Sequence, residues 1–474
     1  MATTLDPPRP PADIDETDET DETAAAPSAP ASASAGPGRL VGIDIARAVA
    51  LLGMFTQHVS LDGEGGQSTG WVAWVFTEAA GRASVLFFVL SGVSLSVIAA
   101  RGSASAAPTV LYRRGFLLLT GGLLLTASIW PASILQHYGI AFLAAPLLLR
   151  LGWRGLTAVT AAGLVGGPVL LLFARNWTSE VVGVADGQAG QWVLGTAWEL
   201  AVSGLYPMVL WIGFFTAGML IGRLDLGDRR TLVRLTVASL VAVLVVGFTA
   251  ARLTDRYGSP DVGFDGGSGS GSGSLIDGGG LAAGDPFDDD SLWEELPDGS
   301  FEFVGTDEQL AELEAAGAFD GSVDDGFDEF GSGGSGAFLP VDDVDIPPDG
   351  RALYEVAGHS GGMGWTLQTG ALASGAMALA LLLPALVQRG LAPLAWMGSM
   401  SLTAYVVHIV LVTDVAGPHI EDGDWSILTR ELAFAGLLVT MTAVCALFHL
   451  VLRTGPLEWL LKQFTLGQRK TKPS

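Results

Sequence analysis

The chain has 474 residues, of which 49% are hydrophobic, and its mean hydropathy is positive. This composition favours a polytopic membrane protein over two or three soluble domains. A formal net charge of -25 argues against nucleic acid as a partner. The single cysteine, Cys445, excludes a disulfide framework and a cysteine metal cluster. The sequence shows neither a zinc-binding pattern nor a P-loop, and we predict no metal site.

The negative charge is concentrated in two segments. Residues 1–38 hold 8 acidic residues and one basic residue, and residues 254–357 hold 26 acidic and two basic residues. The remainder has 15 Asp and Glu against 21 Lys and Arg, so the membrane part carries +6. Residues 1–38 are rich in Pro, Ala, Thr and acids and lack the basic and apolar regions of a signal peptide, so we expect a disordered cytoplasmic tail.

Apolar stretches long enough to cross a bilayer recur along the chain. They predict an all-α membrane protein with about ten transmembrane helices, at 40–60, 83–100, 111–130, 133–150, 154–174, 205–222, 231–252, 364–387, 396–414 and 427–452. Most basic residues fall on one side if the helices alternate, so the positive-inside rule places both termini in the cytoplasm. Two amphipathic pieces, 71–79 and 191–203, are expected at an outer vestibule.

Four segments follow from these patterns. The tail is residues 1–38, the first membrane segment with helices 1–7 is 39–253, and the second with helices 8–10 is 358–474, ending in an interfacial helix at 456–464. Between them, residues 254–357 contain a Gly/Ser repeat and many acids, which predict an extracytoplasmic, mostly disordered insert. One short helix is expected within it at 307–316, because Thr306 and Gln309 have capping-box spacing.

The first predicted helix carries an acid, a guanidinium and an imidazole. At 100° per residue, Arg47 and His58 differ by about 20° in azimuth, with Asp44 beside them, so all three share one face. Arg47 and His58 are roughly 16 Å apart along the axis, about half the hydrocarbon thickness. Ionisable groups at this depth usually face the protein interior or a wet cavity. We predict one wet crevice that reaches both residues; the alternative is a helix-end Asp44–Arg47 ion pair with an ordinary interfacial His58.

Two arginine clusters are further candidates. Arg82 opens the second helix near the outer face, where it could bind an acceptor or act as a plain interfacial arginine. Arg113 and Arg114 begin the third helix at the cytoplasmic face. Their donor forks suit the phosphates of a nucleotide-like cosubstrate, although a simple positive-inside signal explains them equally well.

The remaining candidates are aromatic or imidazole side chains. In the ninth helix, Ser401, Tyr405 and His408 share an i, i+4, i+7 face that we expect to turn inward. His137, at the outer start of the fourth helix, is a weaker candidate for contact with the acceptor. The other histidines are expected to be structural or inert: His359, His419 and His449.

Several of these residues recur in a characteristic order. Arg47 is followed by ten residues and His58, then by Leu-Phe-Phe-Val-Leu-Ser-Gly at 86–92, Arg113 with Arg114, and Gly398 with the run 401–408. This order resembles the acyltransferase-3 and heparan-alpha-glucosaminide N-acetyltransferase superfamily of membrane acyltransferases, in particular bacterial, actinobacterial-type members. The resemblance implies a multi-pass protein of the bacterial cell membrane. The implied reaction transfers an acyl group, most simply acetyl, from cytoplasmic acetyl-CoA or another acyl-CoA. The implied acceptor is a hydroxyl or amine of an envelope glycan or of a similar small molecule.

The resemblance also implies roles for individual residues. His58 and Arg47, with Asp44 beside them, match the catalytic positions, and Arg113 and Arg114 match the cytoplasmic basic pair for the acyl-CoA. One departure concerns the glucosaminide enzymes, which place their active histidine in the loop after the first conserved helix, whereas residues 59–136 contain no histidine. Neutral His58 would take the acceptor's proton as it attacks the thioester, and a covalent acyl-histidine is the alternative route.

An acyl transfer also needs donors for the developing oxyanion, and the polar residues expected nearest are Arg82, Ser91 and Tyr405. Two other functions fit the pattern. A transporter or flippase could use the polar face of the first helix as a proton-coupled path, although the last five helices do not repeat the first five. A non-catalytic envelope protein could bind cations or a partner through the insert. The sequence carries no signal for the oligomeric state.

Overall fold

A computed structural model describes residues 40–59, 79, 81–130, 132–174, 177, 181, 184, 187–259, 293–295, 301–303, 349–356, 360–416 and 427–466. By its contacts the chain divides into Met1–Leu40 and Val41–Ser474, and all described residues except Leu40 belong to the second unit. The N-terminal tail, the predicted helix at 307–316 and all of the predicted piece at 71–79 except Ala79 lie outside the described residues.

The described residues form α-helices and one pair of short strands. The helices are α1 Val41–Val59, α2 Arg82–Ala100, α3 Pro108–Ser128, α4 Leu135–Leu148, α5 Trp153–Ala174, α6 Gly187–Trp198, α7 Met208–Ile221, α8 Arg229–Tyr257, α9 Met363–Leu382, α10 Ala385–Gly390, α11 Ala392–Ser399, α12 Ser401–Val410, α13 Ile427–Leu452 and α14 Pro456–Leu466. Each of the ten predicted stretches contains a helix, so the all-α class is confirmed. The strands Trp293–Glu295 and Phe301–Phe303 pair antiparallel within the acidic insert, which was not predicted.

The predicted ten membrane spans are confirmed only in part. Among the described residues, six helices can cross a membrane by length and composition: α2, α3, α5, α8, α9 and the Ala435–Leu452 part of α13. Two bent pairs raise the number to eight, namely Gly190–Ser203 with α7 at 53° and α11 with Ser401–Thr413 at 85°. A multi-pass membrane protein is therefore supported, but not all ten spans are. α4 is only 14 residues long, and α1 contains the polar residues singled out above.

Two of the predicted elements have a different form. The ninth predicted helix, 396–414, is broken at Met400, whose backbone (φ -113°, ψ 39°) leaves the helical region. The piece at 191–203, expected at an outer vestibule, ends in a π-helical turn, Glu199–Ser203, and forms a bent pair with α7. Irregular backbone of this kind is tolerated at membrane depth only where it is buried in protein or lines a water-filled cavity.

Helix α1 is the centre of the bundle. It packs against α2, α9, α11, α12 and α13. Ala48, Leu51 and Phe55, at helical spacing, are each 0% exposed. Gly398 of α11 approaches the carbonyl oxygen of Asp44 so closely that a side chain would collide with it. The polar face of α1 is thus enclosed by other helices.

Small residues control the other close crossings. A side chain at Gly92 of α2 would collide with the Phe215 carbonyl of α7, and one at Gly218 of α7 would collide with the Val89 carbonyl of α2. Gly163 of α5 meets the backbone of Gly213 at 2.7 Å from an ideal Cβ position. The glycines at 163–167 and 218–222 therefore serve helix packing, because backbones can approach this closely only without side chains.

Candidate functional site

Arg47 is held between two helices at one end of the polar face of α1. Its Nη1 donates to Asp44 Oδ1 at 3.0 Å, and its Nη2 donates to Ser94 Oγ of α2 at 2.5 Å. The side chain of Asp44 is 6% exposed and that of Arg47 is 23% exposed. Because its guanidinium fork donates to Asp44 on its own helix and to Ser94 on α2, Arg47 ties α1 to α2.

His58 lies at the other end of the same face, beside His408 of α12. The Nδ1 atom of His58 and the Nε2 atom of His408 are 2.8 Å apart, and the two rings are nearly parallel. His58 also contacts Trp130, with ring centroids 4.7 Å apart. His408 is 0% exposed and touches Phe55 and Tyr405, so its ring is fixed on all sides.

The hydrogen bonds of the pair assign the tautomers of both rings. The Nδ1 atom of His408 lies 3.1 Å from the carbonyl oxygen of Ala404, which can only accept. His408 Nδ1 therefore carries a proton, and in the neutral ring Nε2 is an acceptor. His58 must then donate from Nδ1, which leaves its basic lone pair on Nε2. The pair orients His58 as a proton acceptor.

A small cavity of about 40 Å³ lies against His58. It is lined by Met54, Gln57, His58, Ala79, Gly81, Ala83, Ser84, Ile134, Tyr206 and Tyr405. This volume holds a few water molecules or one reacting group, whereas whole small-molecule pockets are about 300–1,000 Å³. The hydroxyl of Tyr405 accepts a hydrogen bond from the Ile134 N–H at 3.1 Å, and Tyr206 is hydrogen-bonded to Ser84.

Arg47 does not line this cavity. The predicted crevice reaching both Arg47 and His58 is therefore not the cavity that the structure contains at His58. The physical reason is that Asp44 and Ser94 hold the guanidinium at the α1–α2 contact, at the far end of the polar face. The three predicted residues of α1 do share an inward face, but they form two separate groups.

The predicted acceptor residues divide in a similar way. Of these, only Tyr405 lines the cavity. His408 lies behind His58. Arg82 does not line the cavity, although its neighbours in sequence, Gly81 and Ala83, do. His137 is 5% exposed and meets the edge of Tyr206 at 5.4 Å between ring centroids. Ser91, an oxyanion candidate, also lies outside the lining.

The predicted basic pair has one exposed and one enclosed member. Arg113 is exposed, whereas Arg114 is half-buried, with its guanidinium carbon 4.5 Å from the ring centroid of Phe142 on α4. Cation–π contact of this kind fixes an arginine without neutralising it. Arg47 and Glu458 lie within electrostatic range of Arg114.

Sequence reasoning missed several residues of this site. Gln57, Ser84 and Tyr206 line the cavity. Glu458 of α14 accepts hydrogen bonds from the first residues of α12, the helix that carries His408. Gln57 could have been found from its place beside His58, but the others depend on contacts between distant parts of the chain.

Together these features define a multi-pass helical membrane protein with an oriented histidine pair at a small polar cavity. Residues 39–251 match the family described as heparan-alpha-glucosaminide N-acetyltransferase, catalytic, and residues 352–468 match a family described as protein of unknown function, DUF418. Searches of curated proteins and of solved structures found no match. The two matches support the superfamily of membrane acyltransferases that the order of the motifs predicted.

Proposed function

We propose that the protein transfers an acyl group, acetyl in the first instance, from cytoplasmic acyl-CoA to a hydroxyl or amine of an envelope glycan or similar acceptor. The observation that carries this proposal is the 2.8 Å contact between His58 and His408 at the cavity. A neutral imidazole whose basic nitrogen is set by a second group is the usual general base of acyl transfer. The match of residues 39–251 to an acetyltransferase family supports the same chemistry.

The reaction assigned to His58 is a direct transfer. His58 Nε2 takes the proton from the acceptor hydroxyl or amine as that group attacks the thioester carbonyl. The C–S bond then breaks, and the imidazolium returns the proton to the leaving CoA thiolate. His408 accepts the Nδ1–H of His58 throughout, which stabilises the imidazolium in place.

Tyr405 is the oxyanion donor in this proposal. Its hydroxyl lines the cavity and already accepts from the Ile134 N–H, so its own proton is what it offers to a charged oxygen. A preorganised donor in a water-poor site stabilises developing charge more strongly than one in water. Because the cavity has room only for reacting groups, the rest of the acceptor and of the donor lies outside it.

The donor's phosphates are assigned to Arg113 and Arg114. Guanidinium groups bind phosphate through paired donors, and Arg113 is exposed at the start of α3. The excess of basic residues at this side supports its assignment to the cytoplasm, with both termini there and the acidic insert 254–357 outside the bacterial cell membrane. Asp44 and Arg47 lie at the donor-side end of α1, the helix that carries His58.

The test supplies acetyl-CoA labelled in its acetyl group to sealed inverted membrane vesicles. Vesicles containing the protein, in the presence of envelope glycan, are expected to release free CoA outside and to accumulate label on the glycan inside. Vesicles without the protein provide the background. A transporter instead predicts movement of unmodified glycan with no release of CoA, and that result would overturn the proposal.

A further inference from the structure

Glu458, on the C-terminal helix α14, caps the N-terminus of α12. Its Oε1 accepts from the backbone N–H groups of Leu402 and Thr403 at 2.7 and 3.1 Å, and its Oε2 accepts from Thr403 Oγ1 at 2.6 Å. Thr403 Oγ1 in turn accepts from the Leu457 N–H at 3.1 Å. A carboxylate that accepts from helix N–H groups makes short, charge-assisted hydrogen bonds and complements the helix dipole.

This cap replaces one that the local sequence does not provide. α12 follows an 85° bend after α11, and its N-cap residue Met400 has no side chain that could accept a hydrogen bond. The first N–H groups of a helix have no partner within the helix, so a buried N-terminus needs an acceptor from elsewhere. Glu458 supplies it from 55 residues further along the chain.

The capped helix carries two residues of the site. Tyr405 and His408 follow Thr403 by two and five residues, so His408 lies roughly 7.5 Å further along the axis. Tyr405 meets Ile134 of the α3–α4 connection, and His408 meets His58 of α1. A shift or fraying of the first turn of α12 would therefore move both side chains relative to His58.

Helix α14 also packs on α3, the helix with the basic pair. The carboxylate of Glu458 lies within electrostatic range of Arg114. Glu458 thus stands between the residue assigned to the donor phosphates and the helix that carries His408. Its position suits a residue that keeps the two halves of the site in register.

We propose that Glu458 is a positioning residue for acyl transfer, which holds the N-terminus of α12 so that His408 orients His58. This inference rests on the proposed function. Glu458 does not line the cavity, so it acts through α12 rather than on the substrate.

Asp228 provides a matched control. It caps α8 through the same three kinds of hydrogen bond, accepting from Arg230 N, Thr231 N and Thr231 Oγ1 at 3.2, 3.0 and 2.9 Å. Asp228 and its partners do not line the cavity. Asp228→Ala and Glu458→Ala therefore both remove a helix cap, but only the second removes the cap of the helix that carries His408.

The first experiment measures transfer from acetyl-CoA by the full-length protein in nanodiscs. We expect Glu458→Ala to lower kcat by about 100-fold, the effect of a misplacement near 1 Å, with the KM for acetyl-CoA changed less than about 3-fold. Glu458→Gln keeps an oxygen acceptor and should recover part of the loss, whereas Asp228→Ala should keep the wild-type kcat. Unchanged kcat in folded Glu458→Ala, or an equal loss in Asp228→Ala, would overturn the proposal.

The second experiment does not depend on transfer activity. Diethyl pyrocarbonate modifies neutral imidazoles, and mass spectrometry measures its rate at His58. We expect this rate to rise at least about 3-fold in Glu458→Ala and to stay unchanged in Asp228→Ala, because a His58 ring that His408 no longer holds becomes more accessible to the reagent. If Glu458→Ala does not fold, Thr403→Val replaces it, since it removes only the two hydrogen bonds of the Thr403 hydroxyl and keeps those from the backbone N–H groups to Glu458. If the modification rate of His58 rises in Glu458→Ala but the wild-type protein transfers no acetyl group, the proposed function is refuted and the positioning role stands. If the rate at His58 does not change in Glu458→Ala, the positioning role is refuted.

Discussion

His58 Nδ1 and His408 Nε2 lie 2.8 Å apart although 350 residues separate them in the chain. His58 belongs to the segment that matches the acetyltransferase family, and His408 belongs to the segment that matches DUF418. Each segment thus supplies one ring of the pair. The second segment also supplies Glu458, which caps the helix of His408.

The orientation of His58 by His408 predicts the effect of removing the acceptor. His408→Phe keeps a ring of similar shape but cannot accept the Nδ1–H of His58, so the tautomer of His58 is no longer set. We expect kcat for acetyl transfer to fall about 100-fold with little change in expression. His449→Phe is the control, since His449 stacks on Trp396 and does not line the cavity. Equal activity of both variants would contradict the orienting role.

Tyr405→Phe separates stability from chemistry. It removes the acceptor of the Ile134 N–H, a buried group whose loss of a partner costs about 1–3 kcal/mol in unfolding free energy. If the hydroxyl also stabilises the oxyanion, kcat should fall by about 100-fold or more, because one such donor contributes roughly 10²–10³. Thermal unfolding and initial rates measure the two effects. A loss of stability with full kcat would assign Tyr405 a structural role only.

The Asp44–Arg47 pair is expected to couple energetically. Asp44→Asn removes the negative charge that faces the guanidinium, and Arg47→Met removes the positive charge that faces a carboxylate whose side chain is 6% exposed. Removing one partner of an enclosed pair is destabilising, whereas removing both is less so. A double-mutant cycle from denaturation in detergent should give a coupling of about 0.5–3 kcal/mol. Strict additivity would show that the Asp44–Arg47 contact contributes nothing, which would contradict its role in holding the guanidinium toward Ser94.

Two adjacent glycines in α3 test the packing of the bundle. A side chain at Gly122 would collide with the backbone of Gln136 at the start of α4, whereas a side chain at Gly121 meets no atom within 4 Å. Gly122→Ala should therefore lower the unfolding free energy by about 1–3 kcal/mol. Gly121→Ala should leave it unchanged or raise it slightly, since alanine favours the helix. Similar melting temperatures for the two variants would contradict this packing.

Helical periodicity was enough to predict which faces turn inward. The 100° rule placed Asp44, Arg47 and His58 on one face of α1, and Tyr405 and His408 on one face of a later helix, and the structure encloses all five. Periodicity did not predict the break at Met400, because neither Met400 nor its neighbours Ser399 and Ser401 is a proline or a glycine. Ten spans are not confirmed for the related reason that composition does not reveal bends or short helices.

The pairing of the two faces could not be read from the sequence. It depends on how α11 docks on α1, where Gly398 meets the Asp44 carbonyl. The role of Glu458 was also missed, since capping rules compare residues a few positions apart and this cap spans 55. The prediction that one crevice reaches both Arg47 and His58 does not hold for the cavity at His58, which Arg47 does not line. A shared helix face does not reveal that Asp44 and Ser94 bind the guanidinium of Arg47 elsewhere.

The central claim is that His58 is the base that activates the acceptor. The most direct measurement is the initial rate of label transfer from acetyl-CoA to envelope glycan by purified wild-type protein and by His58→Ala, with equal folded amounts of each. Loss of the proton acceptor should reduce the rate by at least about 100-fold. Equal transfer by the two proteins would remove His58 from the mechanism and contradict the account.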